Sequence, residues 1–122
     1  MPARLKEHNL NYLASPYRGY PNGIEAAYEQ ALNVAGELTR RGVRVFSPIV
    51  HSHRLAQYAD VDPCDNGLWM DIDRRMAVAC DALVVACLPG WMQSAGIAEE
   101  MDLFEADGKP VYYLHPRTME IA

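Results

Sequence analysis

Seven consecutive apolar residues, Ala82-Leu83-Val84-Val85-Ala86-Cys87-Leu88, show no polar alternation. A half-buried strand alternates inward and outward side chains, and a surface helix keeps a polar face. This run does neither. Bounded by Asp81 and by Pro89-Gly90, it reads as a strand covered on both faces, the place of a central parallel strand in an α/β sheet. It is also the longest apolar run in the chain, far short of the ~20 residues a membrane helix needs.

The flanking sequence supplies the rest of such a sheet. Residues 11–14 (NYLA) read as a strand stopped by Ser15-Pro16. Residues 24–41 read as a helix, with Ile24, Ala27, Tyr28, Ala31, Leu32, Ala35 and Leu38 on its buried face and Gly42 as a left-handed cap. Residues 43–47 form a second strand ended by Pro48. A short helix is expected over 51–58, turn chemistry over 60–67, and a helix over 68–79 with Leu68, Ile72, Met76 and Ala79 inward. Residues 95–106 read as a helix capped by Ser94 and stopped by Gly108, and 110–114 as the last strand. Repeated strand–helix units predict an α/β fold: one Rossmann-like (flavodoxin-like) domain over residues 1–122. Its mostly parallel sheet has four to five strands, with helices on both faces.

Charge excludes some functions. The 122 residues carry a net charge of −5. Residues 1–58 hold seven basic and four acidic side chains, residues 59–122 four and twelve. An acidic chain without a basic cluster is a poor partner for polymeric nucleic acid, whose affinity rests on phosphate contacts. The first residues, MPARLKEHNL, contain no apolar stretch of the secretory kind, and three cysteines make no disulfide framework. A cytoplasmic, reduced setting is expected, with no membrane partner.

In doubly wound sheets, ligands sit at the carboxyl ends of strands. The first strand exit carries Ser15, Tyr17, Arg18 and Gly19. Glycine lets backbone N–H groups approach an anion, Arg18 offers a bidentate grip, and Tyr17 a stacking face. A Pro/Gly/Asn turn with surface tyrosines is the alternative. It is neither a G-x-G-x-x-G fingerprint nor a phosphate loop, which argues against a dinucleotide oxidoreductase or an ordinary kinase. At a later strand exit, Ser94 and Gly96 open a helix that carries Glu99 and Glu100. Glu100 shares a face with Ile97 and Phe104, whereas Glu99 leans away. A carboxylate on an inward face is unfavourable unless paired or used.

Asp73 falls one position past Ile72, at the edge of the expected inward stripe, with Asp71 at the other edge. Either could face Glu100, or both could lie on an exposed face beside Arg74 and Arg75. A facing pair could divide nucleophile and acid roles. His51 and His53 alternate along a segment that, if extended, puts both on one face. No further ligands have fitting spacing, so no metal is expected. A hydrogen-bonding role at the strand end for His51, or a plain structural one, remains. Cys80 and Cys87 read as core.

These residues together resemble the nucleoside 2-deoxyribosyltransferase-like superfamily, from Tyr12 to about Leu114. Residues Tyr12 to Tyr17 are similar to its first strand and base-contacting loop. Arg18-Gly19 resembles the phosphate-gripping pair of the deoxynucleoside 5′-monophosphate N-glycosidases. Asp73 resembles the catalytic aspartate, and Ser94-x-Gly96-x-x-x-Glu100 the nucleophile motif. Pro16 stands where those glycosidases have serine, and Pro89–Gln93 is longer than their equivalent. Small bacterial and phage members share the Ser-Pro, His-Ser-His and Leu-Pro-Gly-Trp features better.

The resemblance implies an N-glycosidic-bond hydrolase or transferase acting on a (deoxy)nucleoside or its 5′-monophosphate. Glu100 would be the nucleophile and Asp73 the acid. Tyr12, Ser15, Tyr17, Arg18, Gly19, His51, Trp91, Ser94 and Gly96 would contact substrate. No cofactor is implied, and the site would be completed in a homodimer or larger assembly. A catalytically silent nucleotide-binding or sensing module is the alternative. A weaker one is glycohydrolysis of a larger nucleotide.

Overall fold

The computed structural model describes residues 3–122. Four strands form one parallel sheet: β1 (Asn11–Ala14), β2 (Val45–Phe46), β3 (Ala82–Ala86) and β4 (Val111–Leu114), in the order β2-β1-β3-β4. Its helices are α1 (Ile24–Arg40), α2 (Pro48–Ala59), α3 (Asn66–Ala79) and α4 (Ala95–Ala106), with 3₁₀ turns at Ala3–Glu7 and Trp91–Gln93. The expected α/β, Rossmann-like architecture is present, with four strands.

Handedness explains the layers. A right-handed crossover from β1 to β2 puts α1 on one face; reversing direction across the sheet, from β2 to β3 and on to β4, puts α3 and α4 on the other. Side-chain alternation follows suit. Leu13, Val84, Ala86 and Leu114 pack with Leu5, Val34, Ala35 and Leu38 on the α1 side. Tyr12, Ala14, Leu83 and Val85 pack with Ala77, Ile97 and Phe104 on the α3–α4 side. Every residue of β3 is 0% exposed, as its unbroken apolar run requires. Met119 and Ile121 return along β4 through an antiparallel bridge from Ile121 to Leu114, closing the α1 face.

Some boundaries and phases differ from expectation. β2 is an edge strand of two residues, because Ser47 leaves the ladder to cap α2, its hydroxyl accepting from Val50 N–H at 3.2 Å. Pro48 then fills the first helical position, where its missing N–H is harmless. So α2 starts three residues before the expected helix, and His51 and His53 lie on a helix. Two residues apart there, they point in nearly opposite directions. His51 is exposed and His53 buried. In α1, Val34 is buried and Leu32 is 43% exposed. In α3 the buried stripe is Trp69, Met70, Asp73 and Ala77, one residue on from the Leu68–Ile72–Met76 stripe. Leu68 and Ala79 are exposed.

The order β2-β1-β3 makes a topological switch between β1 and β3. The loops leaving their carboxyl ends part in opposite directions and leave a crevice.

Candidate active site

That crevice is a cleft of about 440 Å³, within the range of small-molecule sites. Ser15, Tyr17 and Arg18 enter it from the β1 exit, Pro48, Ile49 and Ser52 from α2, and Trp69, Met70 and Asp73 from α3. Gln93, Ser94, Gly96, Glu99 and Glu100 close it from the β3 exit and α4.

Asp73 and Glu100 are each only 8% exposed, and both line the cleft. Asp73 is central to the buried stripe of α3, not at its edge. Glu100 follows Ile97 by three residues and precedes Phe104 by four, so one face of α4 buries all three. Asp71 instead faces solvent, paired with Arg75 at 2.6 Å. Glu99 is exposed at the rim, 3.5 Å from the Asn66 amide.

Tyr12 governs Glu100 from below. Its ring is packed between Phe46 and Phe104, with centroids 5.8 and 5.4 Å away, and its hydroxyl donates to Glu100 Oε2 at 2.5 Å. One carboxyl oxygen is thereby fixed by a donor, while among the described residues no hydrogen bond reaches Oε1. Burial pushes Glu100 up to about 8, the Asp73 charge adding to the shift and the Tyr12 hydroxyl opposing it. Burial alone pushes Asp73 up to about 6. Tyr12 is raised, chiefly by burial and then by Glu100 and Asp73, so its hydroxyl remains a donor. Two buried carboxyls near one another thus hold a proton into the neutral range, the electrostatic condition of an acid–base pair.

Polar groups surround the pair. Ser94 caps α4, its hydroxyl accepting from Ile97 N–H at 3.2 Å. Gly96, in the first turn, leaves the helix N-terminus uncluttered: a Cβ there would meet nothing nearer than Ser94 Oγ at 3.8 Å. Among the described residues Ser15 Oγ is buried without a hydrogen-bond partner, so this hydroxyl is open to a ligand atom. Arg18 is exposed, and its guanidinium donates to the Cys64 carbonyl, joining the β1 exit to the loop before α3. Tyr17 hydrogen-bonds His53 Nδ1 at 2.5 Å.

Four expected contacts lie elsewhere, the first being Tyr12, 0% exposed beneath Glu100 and outside the cleft lining. His51 does not line the cleft; its ring lies against Phe46, 5.9 Å away. Trp91 packs on Tyr113 at 5.5 Å beside a separate shallow depression with Leu88 and Pro89. Gly19 (φ +75°) shapes the loop outside the cleft lining. Sequence reasoning missed Trp69, Met70, Asn66 and Gln93 as wall residues. The tryptophan offered a signal: an indole one turn before Asp73 on the same helix face. Among the described residues, no three His, Cys, Asp or Glu side chains gather into a metal site. Nor, among them, is any helix long and apolar enough to cross a membrane.

No curated protein matches the chain. Residues 9–115, from just before β1 to just after β4, match the model of a domain family of unknown function, DUF1937. With the whole sheet and both buried carboxyls of the cleft inside the matched span, the chain belongs to the DUF1937 family.

Proposed function

We propose that this protein cleaves or transfers the N-glycosidic bond of a (deoxy)nucleoside or its 5′-monophosphate through a covalent glycosyl–Glu100 ester. The observation that carries this reading is the pair of buried carboxyls, Asp73 and Glu100, in one cleft, with Tyr12 fixing one oxygen of Glu100.

Glu100 Oε1 forms a bond to C1′ while the C1′–N bond breaks, its electron pair leaving with the base. Asp73 gives its proton to that base. In hydrolysis a water, losing a proton to Asp73, then adds to C1′ and frees Glu100. In transfer, the nitrogen of a second base takes the place of water. The attack requires the shared proton to sit on Asp73. The Tyr12 hydroxyl favours that distribution, because it donates to Glu100. Tyr17 and Ser15 serve the substrate beside the pair, and the open first turn of α4 receives its oxygens. No cofactor enters. The setting is cytoplasmic and reduced, consistent with free thiols at Cys64, Cys80 and Cys87, and the assembly is a homodimer or larger.

A second reading has its own observation. Burial leaves Glu100 the more proton-avid of the two carboxyls in the unliganded cleft. A site that kept that proton on Glu100 would bind nucleosides without cleaving them. Incubation with a panel of nucleosides and 5′-monophosphates, followed by chromatography, separates the two. Free base released by the wild type and not by Glu100→Gln supports the enzyme. Thermal stabilisation by a nucleoside without product supports the binder, and neither effect with any member of the panel refutes both.

A further inference from the structure

The loop from β1 to α1 bears Tyr17 and Arg18 but has little regular hydrogen bonding to hold it. Its backbone turns at Gly19, Asn22 and Gly23, all at positive φ. Two internal bonds, Tyr20 N–H to the Tyr17 carbonyl and Gly23 N–H to the Tyr20 carbonyl, shape it locally. Neither fixes it to the body of the protein. Arg18 makes one such tie at the rim, to the Cys64 carbonyl, and a side-chain chain outside the cleft makes the one that holds Tyr17.

His53, on α2, is 1% exposed and has both ring nitrogens engaged. Nε2 lies 2.9 Å from Glu25 Oε1, and Nδ1 lies 2.5 Å from the Tyr17 hydroxyl. With a carboxylate accepting at Nε2–H, Nδ1 is left to accept from Tyr17. The hydrogen bonds therefore run in one direction: Tyr17 O–H to imidazole, imidazole N–H to Glu25. The imidazole cannot swing away. Tyr28 stacks on it at 4.4 Å with planes 16° apart, and the Arg54 guanidinium lies 5.2 Å from the Tyr28 ring centre. Tyr17 meets the imidazole at 87°. Glu25 is half-exposed at the first turn of α1, so the chain ends at the surface.

A histidine buried on three sides and bonded at both nitrogens serves the group at its inner end. That group is Tyr17, one of two aromatic side chains lining the cleft and the less covered of them. We infer that Glu25 and His53 are positioning residues that hold Tyr17 as the aromatic wall for the base of a nucleoside. This rests on the proposed function and goes beyond it, since neither residue touches the cleft. The phenol is an anchor, not a base: burial, with nearby Cys64, Glu25 and Asp62, pushes it up to about 12.

The test is a calorimetric titration of deoxyadenosine, deoxyguanosine, deoxycytidine and thymidine into wild type, Tyr17→Phe, Glu25→Gln and the double variant. Phenylalanine keeps the ring and removes the anchor. Affinity should fall about tenfold in Tyr17→Phe, the loss of one well-made hydrogen bond, and about threefold in Glu25→Gln. The double variant should be no weaker than Tyr17→Phe alone, because Glu25 acts only through the Tyr17 hydroxyl. A general loosening of the fold would instead give losses that add. His53→Phe, matched for packing but unable to bond, should equal Tyr17→Phe; should it fail to fold, the other three proteins decide. Additive losses, or wild-type affinity in Tyr17→Phe, overturn the inference and leave the nucleoside reading standing. No binding to wild type of any of the four, of their ribose counterparts or of the 5′-monophosphates overturns both.

Discussion

Glu99 and Glu100 are neighbours in sequence, yet about 100° of helix turn separates their side chains. The result is one exposed carboxylate at the rim and one buried against Tyr12. Glutamine preserves the size and much of the hydrogen bonding of either, but is no nucleophile. Glu100→Gln should lower turnover by about 10³-fold or more, while Glu99→Gln stays within about threefold. A 2-fluoro nucleoside analogue should leave its sugar on the peptide containing Glu100, read by mass spectrometry. Normal turnover by Glu100→Gln would exclude the glycosyl ester. The same burial gives a stability prediction. Both carboxyls titrate higher in the folded protein than in the unfolded chain, so the folded state holds their protons more tightly. That contribution is complete below about pH 4. It is lost as pH rises through about 6 for Asp73 and about 8 for Glu100. Glu100→Gln escapes the loss. Its melting temperature should exceed that of the wild type at pH 8.5, reflecting a stability difference on the order of 4 kcal/mol at most, and the gap should close toward pH 5. Parallel melting curves at both pH values would show that Glu100 ionises in the fold without penalty.

Elements with clear end signals and apolar residues marking the buried face were legible in the sequence, whereas α3 and α2 were read out of phase or short. Residues 11–14 and 95–106 form the expected strand and helix, because proline, serine and glycine punctuate them, and in the helix Ile97 and Phe104 mark the buried face on either side of Glu100. The phase of α3 was hidden. Its buried stripe contains Asp73, and a search for apolar spacing passes over a carboxylate and settles on Leu68 and Ile72 instead. The start of α2 was hidden for a different reason. Ser47-Pro48 can end a strand or open a helix, and only the tertiary context decides. His53 lost its meaning with that boundary, since on an extended segment it would have shared a face with His51. Capping at Ser94 is where element stability and site composition separate. Ser94→Ala should cost about 1 kcal/mol in urea unfolding, through loss of the bond from Ile97 N–H. Ser94→Asp should keep that stability, since aspartate caps equally well and suits the helix dipole. It should nevertheless weaken nucleoside binding, by adding a carboxylate beside Glu99 and Glu100. Loss of stability in both variants would mean that the serine is held by packing and not by its cap.

The uneven charge of the whole molecule reaches the cleft. The basic first half contributes Arg18, and the acidic second half contributes α3 and α4, with Asp65, Asp73, Glu99 and Glu100. Among the described residues lining the cleft, one cation therefore stands against four carboxyl groups, and that cation already donates to the Cys64 carbonyl. A 5′-phosphate brings close to two negative charges into this field. At roughly 5–8 Å and an effective dielectric constant near 20, each uncompensated like-charge contact opposes binding by about 2–3 kcal/mol before screening. Arg18 offsets only part of that. The uncharged nucleoside should therefore be preferred over its monophosphate by about tenfold or more in kcat/KM at low salt. At 0.5 M salt the preference should narrow, because the Debye length shrinks to a few ångströms and rim charges such as Glu99 and Asp65 are screened. Arg18→Ala should widen it, raising KM for the monophosphate by roughly ten- to a hundredfold while leaving the nucleoside within about threefold. Steady-state kinetics on one matched pair, nucleoside and monophosphate of the same base, at two salt concentrations reads all three effects. A wild type that prefers the monophosphate, or an Arg18→Ala variant that loses both substrates equally, would show that the acidic wall does not set substrate charge.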